Sequence, residues 1–370
     1  MIQAIKRFLN KRNKFAKETT ISGKKTNEKI DILYIVSIMP PYPGGAAADF
    51  GIITSVLKDY KDKFKRIVVL TERGCKKEMD DVLQIKDVLF NYDSASNKSF
   101  FKQLSNYLVI LYYILFTPKD IIHIHARYVY AKYIGRIIWL ALLISPAKVV
   151  IDIRDRFFNN FGFGHNYIVC SEDLLDYYSW INNKYYVAVP VKFPEINKNI
   201  KYGHKAAYMG TIIENKGILE LLDGYRQYVN ESRNPLELYF WGLNNMGDRF
   251  IREIEKTKNA KYCGYISNEE IFNKILEYKA IILPSKSEGL PRACLEAMYC
   301  NRIIICHRSI RTVVEHIPEE FIFDDITSIE IKNKLFIIES YDKALSYDYD
   351  FNVHSPERTA NKLIEFYSNI

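Results

Sequence analysis

Runs of β-branched and apolar residues alternate with segments of helical periodicity along most of this 370-residue chain. The first run, IDILYIVSI, starts at Ile30 and ends at the turn-rich sequence MPPYPGGAA. The segment after it has a helical apolar face made by Ile52, Ile53, Val56, Leu57 and Tyr60. Strands that are apolar along their whole length are typical of parallel sheets covered by helices on both faces. The pattern therefore predicts an α/β fold.

The alternation of strands and helices occurs twice. The first half contains the strand-like runs RIVVLT, DIIHIH, AKVVIDI, NYIVCS and YYVAVP, and the second half contains KAAYMG, LELYFWG, AKYCGYI, AIILPS, RIIICH and EFIFD. Between the halves, residues 190–204 are polar and include two prolines, which is typical of a linker between domains. We expect two doubly wound sheets facing each other across a cleft, with a ligand beyond the carboxyl ends of their strands.

The positive charge of the chain is concentrated at its start. The net charge is +8, but residues 1–30 alone hold nine Lys and Arg against two Glu. The rest of the chain is nearly neutral, which argues against a protein that binds nucleic acid through a basic surface. The arm can form a helix with an apolar face, made by Ile2, Ile5, Phe8, Leu9 and Phe15. Such a helix could lie on an anionic membrane surface, and a disordered basic tail is the alternative.

We expect no membrane-spanning segment, no secretory signal and no disulfide in this chain. The longest uncharged stretch, Gln103 to Pro118, is shorter than the ~20 residues of a membrane span, so we expect a core helix there. No apolar segment follows the basic arm as in a secretory signal. The six cysteines form no C-x-x-C pair, which favours reduced thiols in a cytoplasmic protein.

Residues 280–298, AIILPSKSEGLPRACLEAM, combine a strand, a loop and the start of a helix. Pro291 suits a first helical position, because its missing N–H is not needed there. The amides at that helix start could attract a phosphate, and the carboxylates of Glu288 and Glu296 could accept hydrogen bonds from hydroxyls. Taken alone, the two glutamates are better explained as a loop acid and a surface acid.

The whole segment, however, resembles the E-x7-E signature of family 4 glycosyltransferases, which are retaining enzymes of the GT-B fold. Glu288 and Glu296 occupy its two Glu positions, and Gly289, Leu290 and Pro291 follow the first. The resemblance implies that Glu296 holds the ribose of a nucleotide-sugar donor and that Glu288 holds its sugar. The amides from Gly289 to Pro291 would hold the diphosphate.

Two glycine loops match the same family. In AAYMGTIIENKGILELLDGY, Gly210 matches the first glycine of the donor domain and Lys216 matches the lysine of its Lys-Gly pair. The resemblance makes Lys216 the charge that stabilises the leaving diphosphate, while Thr211 replaces the usual Arg. In the loop after the first strand, Gly44 and Gly45 match the Gly-Gly that lets the backbone approach the donor.

Two further segments complete the expected site, and a third is excluded from it. His125, at the end of DIIHIH, maps onto the histidine that lies beside the reacting sugar in the family, and Arg154 and Asp155 of DIRDRF are weaker pocket candidates. Asp348 and Asp350 form an Asp-x-Asp without a preceding strand, so we take them as a surface or capping segment. No metal is therefore expected, and no cofactor besides the nucleotide sugar.

The resemblance implies a function for each part of the chain. After a basic arm over 1–29, residues 30–189 would form an acceptor-side Rossmann-like domain, and residues 205–352 the donor domain. A C-terminal helix over 353–370 could pack back on the first domain. Asn301 stands where the family has Gly after the motif helix, and Asn tolerates the left-handed conformation that this turn needs.

We therefore expect a retaining glycosyltransferase that moves a sugar from a nucleotide-sugar donor to a glycan or lipid-linked acceptor. The type suggested is that of bacterial surface polysaccharide synthesis, meaning capsule, O-antigen or exopolysaccharide. Its expected location is the cytoplasm or the inner face of the plasma membrane. Two alternatives remain open, a sugar-nucleotide epimerase of the same architecture and a non-catalytic nucleotide-sugar-binding or scaffold protein.

Overall fold

A computed structural model describes residues 29–36, 45–74, 82–89, 100–126, 134–154, 156, 165–198, 201–286, 288–343 and 345–370. These residues form two α/β units, each built on one parallel sheet. The predictions for the arm over 1–28, Gly44 and Asp155 lie outside the described residues.

Within the described residues, the first sheet consists of β1 (Ile30–Ile35), β2 (Phe64–Glu72), β3 (Leu83–Leu89), β4 (Ile121–His125), β5 (Lys148–Ile153), β6 (Asn166–Val169) and β7 (Lys184–Tyr186). The helices of this unit are α1 (Gly45–Leu57), α2 (Phe100–Phe116), α3 (Ile134–Ile144) and α4 (Glu172–Tyr177). The strands lie in the order β3-β2-β1-β4-β5-β6-β7, and every pairing is parallel. The order reverses between β1 and β4, where a doubly wound sheet opens a crevice.

The second sheet consists, in the part of the chain that is described, of β8 (Lys205–Met209), β9 (Glu237–Trp241), β10 (Ala260–Tyr262), β11 (Ala280–Leu283), β12 (Ile303–His307) and β13 (Ile322–Phe323). Its helices are α5 (Ile218–Glu231), α6 (Asp248–Glu255), α7 (Ile271–Leu276), α8 (Arg292–Tyr299), α9 (Arg311–Val314) and α10 (Ser328–Ser340). The order β10-β9-β8-β11-β12-β13 repeats that of the first sheet. The predicted pair of Rossmann-like sheets is confirmed.

The first sheet is covered on both faces. Helices α2 and α3 pack on one face, where Ile35, Ile110, Ile124 and Leu142 are buried in one cluster. Helix α1 and the last helix, α11 (Pro356–Asn369), cover the other face. Burial on both faces is the physical reason why these strands are continuously apolar in sequence.

The C-terminal segment returns to the first unit. The backbone N–H of Val191 donates to the carbonyl of His354 at 2.8 Å, and the His354 Nδ1 lies 2.7 Å from the Val189 carbonyl. Further along α11, the Tyr367 hydroxyl lies 2.5 Å from His123 Nδ1 on β4. The last helix therefore ties the end of the second unit to the sheet of the first.

Three local features of the structure can be compared with the sequence. Asn301 has φ of 55°, so the left-handed turn after α8 is confirmed. Strand β3 was not expected, because Leu83–Leu89 mixes buried and half-buried positions instead of being apolar throughout. The helix after β6 is short, since α4 ends at Tyr177.

The described helices are each too short or too polar to cross a bilayer. The five cysteines in the described ranges are free thiols, and four of them are buried: Cys170, Cys294, Cys300 and Cys306.

Burial of His354 makes the stability of the fold depend on pH. Burial lowers the pKa of this imidazole from 6.5 to about 4. The unfolded chain binds the proton near pH 6.5 and the folded chain only near pH 4, so stability is full above pH 6.5 and falls as the pH drops through that window. A shift of this size corresponds to about 3 kcal/mol.

We expect the His354→Gln variant to lose this part of the pH dependence in urea-unfolding measurements between pH 7 and about pH 4. His204→Gln, at an exposed histidine, is the matched control. An unchanged slope in the His354 variant would contradict the assignment.

Candidate functional site

Lys216 and Glu288 are 72 positions apart in the sequence. They come together in the loops at the carboxyl ends of β8 and β11. The Lys216 Nζ lies 2.9 Å from Glu288 Oε1, and the two side chains are 24% and 10% exposed. Strands β8 and β11 are neighbours at the point where the order of the second sheet reverses. This is the position at which doubly wound sheets bind their ligands.

Gly217 explains why the lysine is followed by glycine. Its φ is +69°, and a Cβ at this position would lie 2.0 Å from the Pro284 carbonyl oxygen. Only glycine allows this positive φ together with such a close approach of two backbones. The loop that carries Lys216 is thereby packed directly on the loop that carries Glu288.

Helix α8 begins immediately after the predicted signature loop. Its N-cap is Pro291, whose side chain makes no capping hydrogen bond, and Leu290 is buried beside it. Glu296 lies one turn into α8 and is 4% exposed, with its Oε1 3.3 Å from Arg292 Nη2. Burial raises the pKa of Glu296, and the neighbouring Arg292 offsets part of that rise.

The same arginine connects the two units. Arg292 Nη1 donates to Asp49 Oδ1 on α1 at 3.0 Å, and Arg154 Nη1, after β5, lies 3.3 Å from Asp49 Oδ2. All three side chains are about one-tenth exposed or less. One carboxylate of the first unit is therefore held between a guanidinium of its own unit and a guanidinium of the second.

The chain of buried charges continues into the first sheet. Arg154 donates two hydrogen bonds of 2.8 Å to the carboxylate of Asp152, whose Oδ2 lies 3.5 Å from His123 Nε2. Burial favours the protonated Asp152, but Arg154 and then His123 outweigh it and hold its pKa well below the usual range. Burial lowers the pKa of His123, and the neighbouring Asp152 offsets part of that fall.

The backbone of the signature loop also touches the first unit. A Cβ on Gly289 would lie 2.0 Å from the Arg154 carbonyl oxygen, and one on Gly45 would lie 3.4 Å from Arg292 Cδ. The two predicted glycine positions thus lie against the opposite unit, at the level of the Asp49 ion pairs.

The remaining predicted residues occupy the surrounding strand ends. His125 ends β4, is half-buried and has its ring centroid 5.5 Å from that of Phe50 on α1. The Gly210 amide donates to the Trp241 carbonyl, and the Thr211 carbonyl accepts from the Tyr208 hydroxyl at 2.8 Å. Thr211 therefore contributes its backbone to the loop and brings no positive charge.

Arg154 was predicted as a pocket residue, and the structure places its side chain in the buried chain of charges instead of open space. Asp49, Asp152, His123 and Arg292 were not predicted. Asp152 lies in DIRDRF, and Arg292 lies in the segment with the E-x7-E signature. The one sign of their importance in the sequence is a charged residue for which the motif gives no role.

The predicted absence of a metal stays a prediction. In the described ranges, no group of three or more His, Cys, Asp or Glu side chains has the arrangement of a metal site. Asp350 accepts a hydrogen bond from the Asn352 amide and pairs with Arg358 at 3.3 Å. It therefore acts as a helix cap.

Comparison with known proteins finds a family model that matches the second unit. Residues 192–340 match the family model described as glycosyl transferases group 1. The matched segment is less than half of the chain. It contains Lys216, Glu288 and Glu296. A curated relative, the capsular polysaccharide biosynthesis glycosyltransferase CapH of Staphylococcus aureus, is 34% identical over 116 residues, which are 30% of this chain and 32% of CapH.

Solved structures share the fold of both described units. WaaG, a glycosyltransferase involved in lipopolysaccharide biosynthesis, aligns with a TM-score of 0.58 and 10% identity, over 91% of this chain and 95% of that one. A mutant of S. aureus TarM, in complex with fondaparinux, α-GlcNAc-glycerol and UDP, aligns with a TM-score of 0.51 and 16% identity, over 71% and 56% of the two chains. The two-sheet architecture is thus the GT-B fold. The chain spans about a third of the length of CapH.

We expect the Asp49→Asn substitution to destabilise the protein by about 1.5 to 3 kcal/mol, because Arg154 and Arg292 each lose one of two carboxylate partners and keep the other. Urea unfolding of the full chain measures the loss, with Asp59→Asn on the exposed turn after α1 as the matched control. Adding Arg292→Met to Asp49→Asn should recover part of the loss. Equal stability of the Asp49 and Asp59 variants would contradict the importance of these ion pairs.

Proposed function

We propose that this chain is a retaining glycosyltransferase that moves a sugar from a nucleotide-sugar donor to a glycan or lipid-linked acceptor. The proposal includes a place in bacterial surface polysaccharide synthesis, such as capsule, O-antigen or exopolysaccharide. The relationship to CapH and the group 1 domain over 192–340 support this assignment. We further propose that the protein works on the cytoplasmic side, where a peripheral position on the membrane would give it access to a lipid-linked acceptor.

The observation that carries the proposal is the contact between Lys216 and Glu288 at the strand ends of the second sheet. A nucleotide sugar has an anionic diphosphate next to a sugar rich in hydroxyls. An ammonium group and a carboxylate 2.9 Å apart can serve these two parts at once. The start of α8, with its unpaired amides and partial positive charge, adds a second site for phosphate oxygens. TarM, which shares the fold, was solved with UDP.

The reaction would exchange one bond of the anomeric carbon for another. The bond from that carbon to the diphosphate oxygen breaks, and the nucleoside diphosphate leaves with the electron pair. A bond forms from the same carbon to the acceptor hydroxyl oxygen, whose proton is released. Negative charge develops on the diphosphate, where Lys216 would stabilise it, and positive charge develops on the sugar, which Glu288 faces.

Glu296 and His125 have supporting roles in this proposal. Glu296 would bind the ribose hydroxyls, with its carboxylate oriented by Arg292. His125, fixed by its contact with Phe50, would orient groups at the reacting carbon from the first unit. The approach of Gly289 to the Arg154 carbonyl closes the cleft near this point and would help to exclude water.

Glutamate variants test the two donor roles separately. We expect Glu296→Gln to raise the dissociation constant of the donor about 10- to 100-fold, because a hydrogen bond to a charged group contributes about 1.5 to 3 kcal/mol. Glu288→Gln should mainly lower the turnover number. Calorimetry and steady-state rates, with the nucleotide sugar found by a thermal-shift panel, measure the two effects.

Glu255→Gln, at an exposed position of α6, is the control for loss of a carboxylate. Melting of each variant without donor separates a loss of folding from a loss of binding. Unchanged donor affinity in the Glu296 variant would remove the ribose role.

Metal independence gives a further prediction. If Lys216 and the helix amides neutralise the leaving group, release of nucleoside diphosphate in the presence of acceptor should continue at the same rate with excess EDTA. Loss of activity that added magnesium or manganese restores would contradict this.

Conversion of the donor without acceptor would instead indicate an epimerase, and binding without any conversion would indicate a non-catalytic protein.

A further inference from the structure

Exposed apolar side chains are concentrated on two neighbouring helices of the first unit. Of the thirteen large apolar side chains that are exposed in the described residues, eight lie on α2 and α3. They include Leu108, Tyr112 and Phe116 on α2, and Ile137, Leu140 and Ile144 on α3, which we call the apolar helix face. Their exposed fractions range from 48% to 72%. A contiguous exposed apolar surface usually marks a site of binding to a protein or a membrane.

The spacing shows that each helix has two apolar sides. Leu108, Tyr112 and Phe116 are four residues apart, and on the opposite side of α2 Ile110 and Ile114 are fully buried in the core. Because one side of each helix belongs to the core, neither can leave the protein to cross a bilayer. With 17 residues and a length of ~25 Å, α2 is also shorter than the ~30 Å hydrocarbon layer. The helices can only lie along a surface.

The charges on these helices indicate what that surface is. The charged residues of α2 and α3 are Lys102 and Arg136, both positive. Lys119 and Asp120 follow the end of α2, where the Lys119 Nζ donates to the Tyr113 and Thr117 carbonyls. A second copy of the chain would bring the same two helices, with positive charges and no acid, to such an interface. An anionic bilayer supplies negative charge to the cations and an apolar layer to the side chains. Tyr residues such as Tyr112 are typical of that boundary, and Phe residues such as Phe116 are typical of the apolar side of helices that lie in it.

We propose that the apolar helix face docks the protein on the surface of an anionic lipid bilayer, with its apolar side chains inserted below the headgroups. The inference rests on exposure and charge in the first unit, so it does not depend on the proposed catalysis. The basic arm over 1–28 would add electrostatic attraction at low salt. The apolar helix face would supply the part of the binding that salt does not remove.

Sedimentation of the full-length protein with vesicles of phosphatidylcholine and phosphatidylglycerol tests this proposal. Added salt shortens the screening length from ~10 Å at 0.1 M to ~3 Å at 1 M, so binding by the arm should fade while wild-type protein stays attached. The combined variant carries Leu108→Gln, Phe116→Gln, Leu140→Gln and Ile144→Gln. We expect it to bind at least about tenfold less at the higher salt, because each substitution removes apolar surface that would insert into the bilayer. Ile329→Gln, 62% exposed on α10 of the second unit, is the matched control and should bind like wild type.

A truncation and a size measurement distinguish membrane docking by this face from attachment by the arm and from a dimer interface. Removing residues 1–26 should weaken binding at low salt only. Wild-type binding by the combined variant would overturn the proposal, as would complete loss of binding on truncation, which would assign the attachment to the arm. Analytical ultracentrifugation tests the dimer. If the wild-type protein does not bind vesicles but forms a dimer, and the combined variant is a monomer, the surface is an interface with a second copy and the proposal is wrong. If the combined variant melts early, Leu140→Gln and Ile144→Gln singly should each give a smaller loss of binding at high salt.

Discussion

The carboxylate of Asp49 is the point on which the relation between the two units depends. It lies between the guanidinium groups of Arg154 and Arg292, and all three groups are buried. A charge removed from water is tolerated only when partners satisfy it closely. Separating the units would leave Arg292 without Asp49 and Asp49 with one cation in place of two, so these charges favour the closed arrangement of the cleft.

This arrangement links helix α8 of the second unit to α1, the first helix of the first unit. Arg292 binds Asp49 through Nη1 and Glu296 through Nη2. The orientation of Glu296 therefore depends on a residue of the other unit, although both Glu296 and Arg292 lie on α8. Gly289 adds a steric link, because its backbone approaches Arg154, which holds Asp49 from the other side. A substitution in α1 can thus change donor binding on the proposed function without touching the donor.

Much of the architecture could be predicted from the sequence, because strands buried on both faces leave continuous apolar runs. The exception, β3, lies at the edge of the first sheet and has half-buried positions that dilute this signal. The meeting of Lys216 with Glu288 follows from parallel strand ends. The pairing of Asp49 with Arg292, 243 positions apart, could not be predicted, since periodicity places each residue on a face but does not say which distant charge it meets.

The missing arginine at position 211 can be judged from the charges that remain. Arg154 and Arg292 are each bound to two carboxylates, whereas Lys216 is bound to Glu288 and is 24% exposed. On the proposed function, Lys216 is therefore a cation that a diphosphate could recruit more easily than either arginine. In the closed cleft Lys216 is neutralised by Glu288. A diphosphate carries more negative charge than one carboxylate, so on the proposed function it would draw Lys216 away from Glu288. The released carboxylate would then be available to the sugar hydroxyls, and donor binding itself would create the contact that the reaction needs. With Thr211 in place of a second cation, the rest of the phosphate charge would fall to the amides at the start of α8.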